Sequence, residues 1–126
     1  MKKLILFLHS FCLVTPLYGD SVTNQELLSA CKDKSPATQN FCFGFIISAA
    51  NAAQFYRNIV DVEQEFIDIC LPENISNQEV VDLYIAWGEK HLDLAKGPAF
   101  LGVTTSFSKK YSCPPEQKTK QRMTSF

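Results

Sequence analysis

Cysteines, histidines and paired carboxylates are the residues of this 126-residue chain that could do chemistry. It has five cysteines and two histidines, His9 and His91. Residues 1–19 are typical of a secretory signal peptide, because two lysines precede an apolar run and the small residue Gly19 ends the segment. Its removal leaves four cysteines and one histidine, so a cysteine–histidine nucleophilic pair would require one cysteine to remain unpaired.

The four remaining cysteines are Cys31, Cys42, Cys70 and Cys113. An even number in a short exported chain predicts two disulfides, because the compartment beyond the inner membrane is oxidising. No two of them form a Cys-x-x-Cys pair, which weakens the thiol oxidoreductase and zinc-ribbon interpretations. Nothing near His91 supplies further ligands, so we predict no metal and no other cofactor.

Carboxylates offer the remaining catalytic possibility. Glu63 with Glu65, or Glu89 with Asp93, could act as an acid and base in a secreted enzyme. Charged residues at such spacing more often form a solvated face. We therefore predict a protein that is not an enzyme.

Charge and hydropathy exclude two classes of partner. Without Lys2 and Lys3 the chain keeps ten of its twelve basic residues against thirteen acidic ones, a net charge of −3. It lacks a basic stripe with interleaved aromatics, which argues against nucleic acid. The apolar run over residues 41–50 is about half of the ~20 residues that a bilayer requires, so no membrane span is predicted after signal removal.

Helix signals indicate an all-α fold, a small bundle of four or more helices over residues 20–113, followed by a disordered polar tail over 114–126. The sequences beginning at Thr23 and at Ser76 have the form of capping boxes. The central helix lacks charge and is predicted to be buried on most of its circumference, with the other helices around it. The predicted helices span residues 24–33, 36–56, 77–94 and 98–111. Residues 57–69 are interpreted only as an acidic, partly ordered connection.

Helix topology favours one disulfide pairing among three. A hairpin of the first two helices would place Cys31 beside Cys42, and an antiparallel final pair would return Cys113 beside Cys70. Gly88 lies inside the third helix, where glycine costs about 1 kcal/mol relative to alanine. This cost predicts a close backbone contact with a neighbour.

Two groups of residues could bind a partner. The acidic group has no basic residue among its members and could plug a cleft that contains a catalytic histidine, although a solvated face is the simpler interpretation. It consists of Asp61, Glu63, Glu65 and Asp68. Phe55, Tyr56 and Trp87 would anchor an interface if exposed. Trp87 borders the apolar face of the third helix, which favours the core instead.

Short motifs spread over residues 26–113 resemble the Tai/Rap family, the type VI secretion amidase immunity proteins and their relatives. The motifs are Cys31, Phe41-Cys42-Phe43-Gly44-Phe45, Cys70-Leu71-Pro72 and the stretch from Phe107 to Cys113. The chain has Phe45 where the family prefers tyrosine and Tyr111-Ser112-Cys113 where Phe-Pro-Cys is frequent. The resemblance implies a small periplasmic helical protein, often dimeric, that binds and blocks a cell-wall amidase.

Two other functions stay open. A periplasmic acid-stress chaperone would also be small, helical and disulfide-linked, and protonation of its carboxylates would loosen a dimer and expose apolar surface. A secreted protein acting on a host or a competitor is the second. Binding of many clients at low pH alone would distinguish the chaperone.

Overall fold

Residues 21–59 and 68–115 are described by the computed structural model of the protein. Within these ranges the regular structure is helical, which confirms the all-α four-helix fold. The helices are α1 (Asn24–Lys32), α2 (Pro36–Ile59), α3 (Asn77–Lys90) and α4 (Ala99–Lys110), with a 3-10 turn at Leu92–Leu94. The predicted signal peptide, most of the acidic connection and nearly all of the tail lie outside the described residues.

Both predicted capping boxes are present. At α1, the Thr23 N–H donates to Glu26 Oε2 at 2.8 Å, and the Glu26 N–H donates to Thr23 Oγ1 at 3.3 Å. At α3, Ser76 and Glu79 make the same pair of bonds at 3.0 and 3.2 Å. Each box satisfies backbone donors that the first helical turn leaves without an intrahelical acceptor.

Thr23→Ala should destabilise the protein by about 1 kcal/mol, because it removes the α1 cap. The Thr23 backbone N–H, and to a smaller extent the Thr23 hydroxyl, hold the pKa of Glu26 below its ordinary value of 4.5. Because the folded pKa is the lower one, ionised Glu26 contributes stability at pH values above its unfolded pKa. This stability is lost as the pH falls through the folded pKa. Thr23→Ala keeps the backbone N–H, which lowers the Glu26 pKa most, and removes only the hydroxyl, so NMR titration should show that pKa rising part of the way toward 4.5.

Glu79 is the internal control in the same titration. Its pKa is lowered first by the backbone hydrogen bond from Ser76, then by the Ser76 hydroxyl, both of which Thr23→Ala leaves intact. A Glu26 pKa that Thr23→Ala leaves unchanged would contradict the contribution of the Thr23 hydroxyl.

The core lies on one side of α2. Cys42, Ile46, Ala50 and Ala53 are at most 1% exposed and pack with residues of the other three helices, among them Leu27, Val80, Tyr84, Val103 and Phe107. The opposite side is open: Phe41 is 46% and Phe55 is 61% exposed. The prediction that α2 is buried on most of its circumference is therefore wrong, because α1, α3 and α4 all lie against one side of it.

The favoured disulfide pairing is confirmed. Cys31 bonds to Cys42 with their Cα atoms 5.0 Å apart, and Cys70 bonds to Cys113 with theirs 4.9 Å apart. The second bridge is reinforced by the Cys70 N–H, which donates to Tyr111 O at 2.7 Å. Arg57, in the last turn of α2, reaches the same bridge: its Nη1 lies 3.0 Å from Cys70 Sγ and also contacts Cys113 Sγ. The chain before α3 and the chain after α4 are thus joined to each other and to the end of α2.

Two glycines mark close packing between helices. A Cβ on Gly88 would lie 3.2 Å from Leu28 Cδ1, so the predicted close contact exists, although the neighbour is a side chain and not backbone. A Cβ on Gly102 would overlap Asn24 Oδ1 and lie 2.8 Å from Asn24 Cγ. No local sequence motif predicts this second contact.

Asn24 is a buried polar residue at the start of α1 and joins three elements. Its Nδ2 donates to Leu94 O at 2.9 Å, and its Oδ1 accepts from the Tyr84 hydroxyl at 3.1 Å. Burial raises the pKa of Tyr84 to about 12, so the hydroxyl remains a donor at physiological pH. This side chain therefore ties α1 to α3 and to the turn that follows α3.

Candidate partner-binding surface

The turn between α3 and α4, residues 91–95, presents two leucines to solvent, and we call it the leucine turn. Leu92 is 68% exposed and Leu94 is 45% exposed. The sequence predicts α3 as far as Leu94, whereas the helix ends at Lys90 and is followed by a 3-10 turn at Leu92–Leu94. Exposed leucines at the end of a helix are free to contact a partner.

Hydrogen bonds to the start of α1 hold the leucine turn in place. The Gln25 N–H donates to Ala95 O at 2.9 Å, and the Asn24 N–H donates to Gly97 O at 2.9 Å. The Gly97 N–H donates to Leu94 O at 2.9 Å. Because the backbone that follows the leucines is bonded to α1 through Ala95 and Gly97, little further ordering is needed when they bind.

An aromatic stack supports the first residue of the turn. The His91 ring lies parallel to that of Trp87, with centroids 4.6 Å apart, and His91 Nδ1 is 2.7 Å from Trp87 O. A carbonyl only accepts, so Nδ1 carries the proton. Trp87 is 7% exposed, and its Nε1 is buried with no hydrogen-bond acceptor among the described residues. Trp87 thus lies in the core, and its ring and its carbonyl oxygen hold the His91 ring in position.

A second exposed surface lies on α2. We define the α2 face as Phe41, Gly44, Ser48, Ala52 and Phe55. Aromatic pairs lie at its two ends: Phe41 with Phe45, at a centroid distance of 6.1 Å, and Phe55 with Tyr56, at 6.2 Å. Between them, Gly44 and Ser48 are open to solvent. The α2 face is therefore apolar at both ends and shallow in the middle.

The predicted partner-binding residues are distributed over several places. Phe55 and Tyr56 are adjacent and exposed at 61% and 55%, whereas Trp87 is buried on α3. Asp68 is half-buried, and Asp61, Glu63 and Glu65 lie outside the described residues. The described part of the chain thus brings together only the first two of these side chains.

Membrane-spanning helices and metal-binding groups are both absent from the described ranges. Among residues 21–59 and 68–115, none of the helices combines the length and the hydropathy needed to cross a bilayer. No group of three or more histidine, cysteine, aspartate or glutamate side chains in these ranges could hold a metal ion.

Comparison with known proteins places the fold in a family. The family model of the Rap1a immunity proteins matches residues 23–113, which span all four helices and both disulfides. The chain belongs to the Rap1a immunity protein family. This confirms the resemblance that the cysteine motifs indicated. It also gives the coarse function, an immunity protein directed against a secreted protein effector.

Curated relatives add a more distant likeness. The chain is 29% identical over 102 residues to SR-related and CTD-associated factor 4 of Homo sapiens and of Mus musculus. The alignment covers 77% of this chain and 9% of each relative, so the chain spans about a tenth of their length. No solved structure matches the chain.

Proposed function

We propose that this member of the Rap1a immunity family is exported to the periplasm, where it binds and occludes a cell-wall amidase delivered by a type VI secretion system. The observation that carries the proposal is the family match across both disulfides and all four helices. Two disulfides suit an oxidising compartment, in keeping with residues 1–19 as a cleaved signal peptide. The protein acts by binding, without catalysis of its own, and forms a homodimer.

The leucine turn is the surface that we propose enters the effector. Burying a leucine side chain contributes about 1.5–3 kcal/mol relative to leaving it exposed. Leu92 and Leu94 are exposed on a backbone that is already bonded to α1, so most of this gain would appear as affinity. A short turn that projects two apolar side chains can fill a cleft and exclude its substrate.

The acidic group provides a second contact in this proposal. Asp61, Glu63 and Glu65 follow Phe55 and Tyr56 along the chain, and carboxylates suit an amidase cleft that contains histidine. We expect this contact to affect mainly the rate of association and its salt dependence, as rim charges do.

Inhibition of a purified type VI amidase by the mature protein tests the proposal. Leu92→Asp should weaken inhibition by about 30-fold or more, since a central anchor contributes at least ~2 kcal/mol. Gln39→Asp is the matched control, because it adds the same charge at an exposed position in the first turn of α2. Its inhibition should equal that of the unmodified protein.

Two other results would each overturn one part of the proposed function. Inhibition by the unmodified protein that Leu92→Asp leaves unchanged would overturn the leucine turn as the binding surface. A protein that captures no amidase from the periplasm at neutral pH, and instead binds many unrelated clients near pH 3, would overturn immunity in favour of the chaperone.

A further inference from the structure

The Cys70–Cys113 disulfide lies against a positive charge. Arg57 Nη1 is 3.0 Å from Cys70 Sγ and also contacts Cys113 Sγ. The same nitrogen lies 3.4 Å from Ile69 O, a further contact that holds the guanidinium group beside the bridge. Uncharged disulfide sulfurs gain little from a neighbouring cation, whereas a thiolate gains much more because it carries a full negative charge. The contact therefore favours the charged state through which a sulfur passes when the bridge is broken.

From this arrangement we propose that Cys70–Cys113 is a thiol–disulfide exchange site, at which the folded protein reacts with an external dithiol reductant. A thiolate of the reductant forms a bond to one sulfur of the bridge, and the electron pair of the broken S–S bond leaves on the other sulfur. The second thiol of the reductant then displaces the first sulfur from the mixed disulfide. The bridge thus gains two electrons and two protons, and the reductant is oxidised to its own disulfide.

Access decides which sulfur of the bridge is attacked. Cys70 is half-buried, whereas Cys113 is 4% exposed. An incoming thiolate therefore reaches Cys70 Sγ more readily and expels Cys113 Sγ. Arg57 contacts that leaving sulfur, and exchange is faster when the leaving thiolate is better stabilised.

The Cys31–Cys42 disulfide differs in both respects. Its two cysteines are 8% and 1% exposed, so both are less accessible to a reductant than Cys70. The cation beside Cys31 in the sequence is Lys32, and its Nζ donates to Glu89 Oε1 at 2.7 Å instead. Exchange in the folded state should therefore be selective for Cys70–Cys113.

This selectivity concerns the rate of exchange and not the stability that each bridge contributes. The stability contribution grows with loop length, whereas the rate of attack on a folded chain depends on access and on the leaving thiolate. Exchange at Cys70–Cys113 would release the chain before α3 from the chain after α4. The protein is a reactant in this chemistry and not its catalyst. The reaction requires no effector, so it is independent of the proposed immunity function.

Timed reduction of the folded mature protein by dithiothreitol, with N-ethylmaleimide added to trap free thiols, tests the site. Peptide mass spectrometry then identifies the cysteines that are labelled first. Cys70 and Cys113 should be labelled at least about threefold faster than Cys31 and Cys42. Equal rates, or faster labelling of Cys31 and Cys42, would overturn the inference.

Substitution of Arg57 tests the role of its charge. Arg57→Gln should slow the labelling of Cys70 and Cys113 by about threefold or more, whereas Arg57→Lys keeps the charge and should retain most of the rate. Lys32→Gln is the matched control and should leave the rates of both bridges unchanged. Circular dichroism establishes whether each variant folds. A folded Arg57→Gln variant that exchanges as fast as the unmodified protein would refute the proposed site, and the order of labelling in the unmodified protein decides the matter if that variant does not fold.

Discussion

Replacing Cys70 and Cys113 together with alanine should lower the free energy of unfolding by about 4 kcal/mol. The bridge closes a loop with a sequence separation of 43 residues, against 11 for Cys31–Cys42. Because the entropy that a cross-link removes from the unfolded chain grows with loop length, the shorter bridge should contribute about 3 kcal/mol. Against a typical net stability of ~5–15 kcal/mol, either loss is large.

Native contacts add to the effect of the longer bridge. Arg57 Nη1 lies 3.0 Å from Cys70 Sγ, and its contact with Cys113 Sγ would be lost as well. The bond from the Cys70 N–H to Tyr111 O is 2.7 Å long and depends on the bridge to keep the two segments adjacent. Loss of the disulfide should therefore also release the end of α2 from the end of α4.

Denaturant unfolding of the two double variants, Cys70→Ala/Cys113→Ala and Cys31→Ala/Cys42→Ala, measures both contributions. Double replacement avoids the unpaired thiol that a single substitution would leave. The Cys31→Ala/Cys42→Ala variant is the control for loss of any bridge, because the Cys31–Cys42 disulfide also joins two helices. A smaller loss from the Cys70–Cys113 pair than from the Cys31–Cys42 pair would contradict the loop-length explanation.

Features encoded by local sequence were predicted correctly. The capping boxes at Thr23 and Ser76 depend on side chains three residues apart, so a short motif is sufficient to identify them. The disulfide pairing followed from the order of helices and cysteines alone. The partners in each capping box lie within one helical turn. For the disulfides, the helix order leaves few alternative pairings.

Features decided by distant residues were missed. The apolar spacing of α3 continues through Leu92, and the helix ends earlier because the carbonyls of Leu94 and Ala95 bond to Asn24 and Gln25, about 70 residues away. Likewise, the composition of α2 shows that it is apolar but not which side its neighbours cover. The leucine turn and the α2 face both depend on contacts between residues that are distant in sequence. Neither candidate surface can therefore be identified from the sequence alone.

The three helical glycines should respond to alanine in different directions. Gly102→Ala is expected to lower the free energy of unfolding by about 2–3 kcal/mol, because the new Cβ would overlap the Asn24 side chain. Displacing Asn24 would break its bonds to Leu94 O and to the Tyr84 hydroxyl, and buried groups left unpaired are costly. The helix propensity of alanine offsets only about 1 kcal/mol of this loss.

Gly44→Ala is the matched control, and its sign is opposite. Its Cβ would have no heavy atom within 4 Å, so only the propensity gain of about 1 kcal/mol remains. For a domain of this size, that gain raises the melting temperature by roughly 4–8 °C. The change in stability for Gly88→Ala should lie between those of Gly102→Ala and Gly44→Ala. Its new Cβ would lie 3.2 Å from Leu28 Cδ1, the flexible end of a side chain. Thermal unfolding would give all three values. A Gly102→Ala variant as stable as Gly44→Ala would contradict the close contact between Asn24 and Gly102.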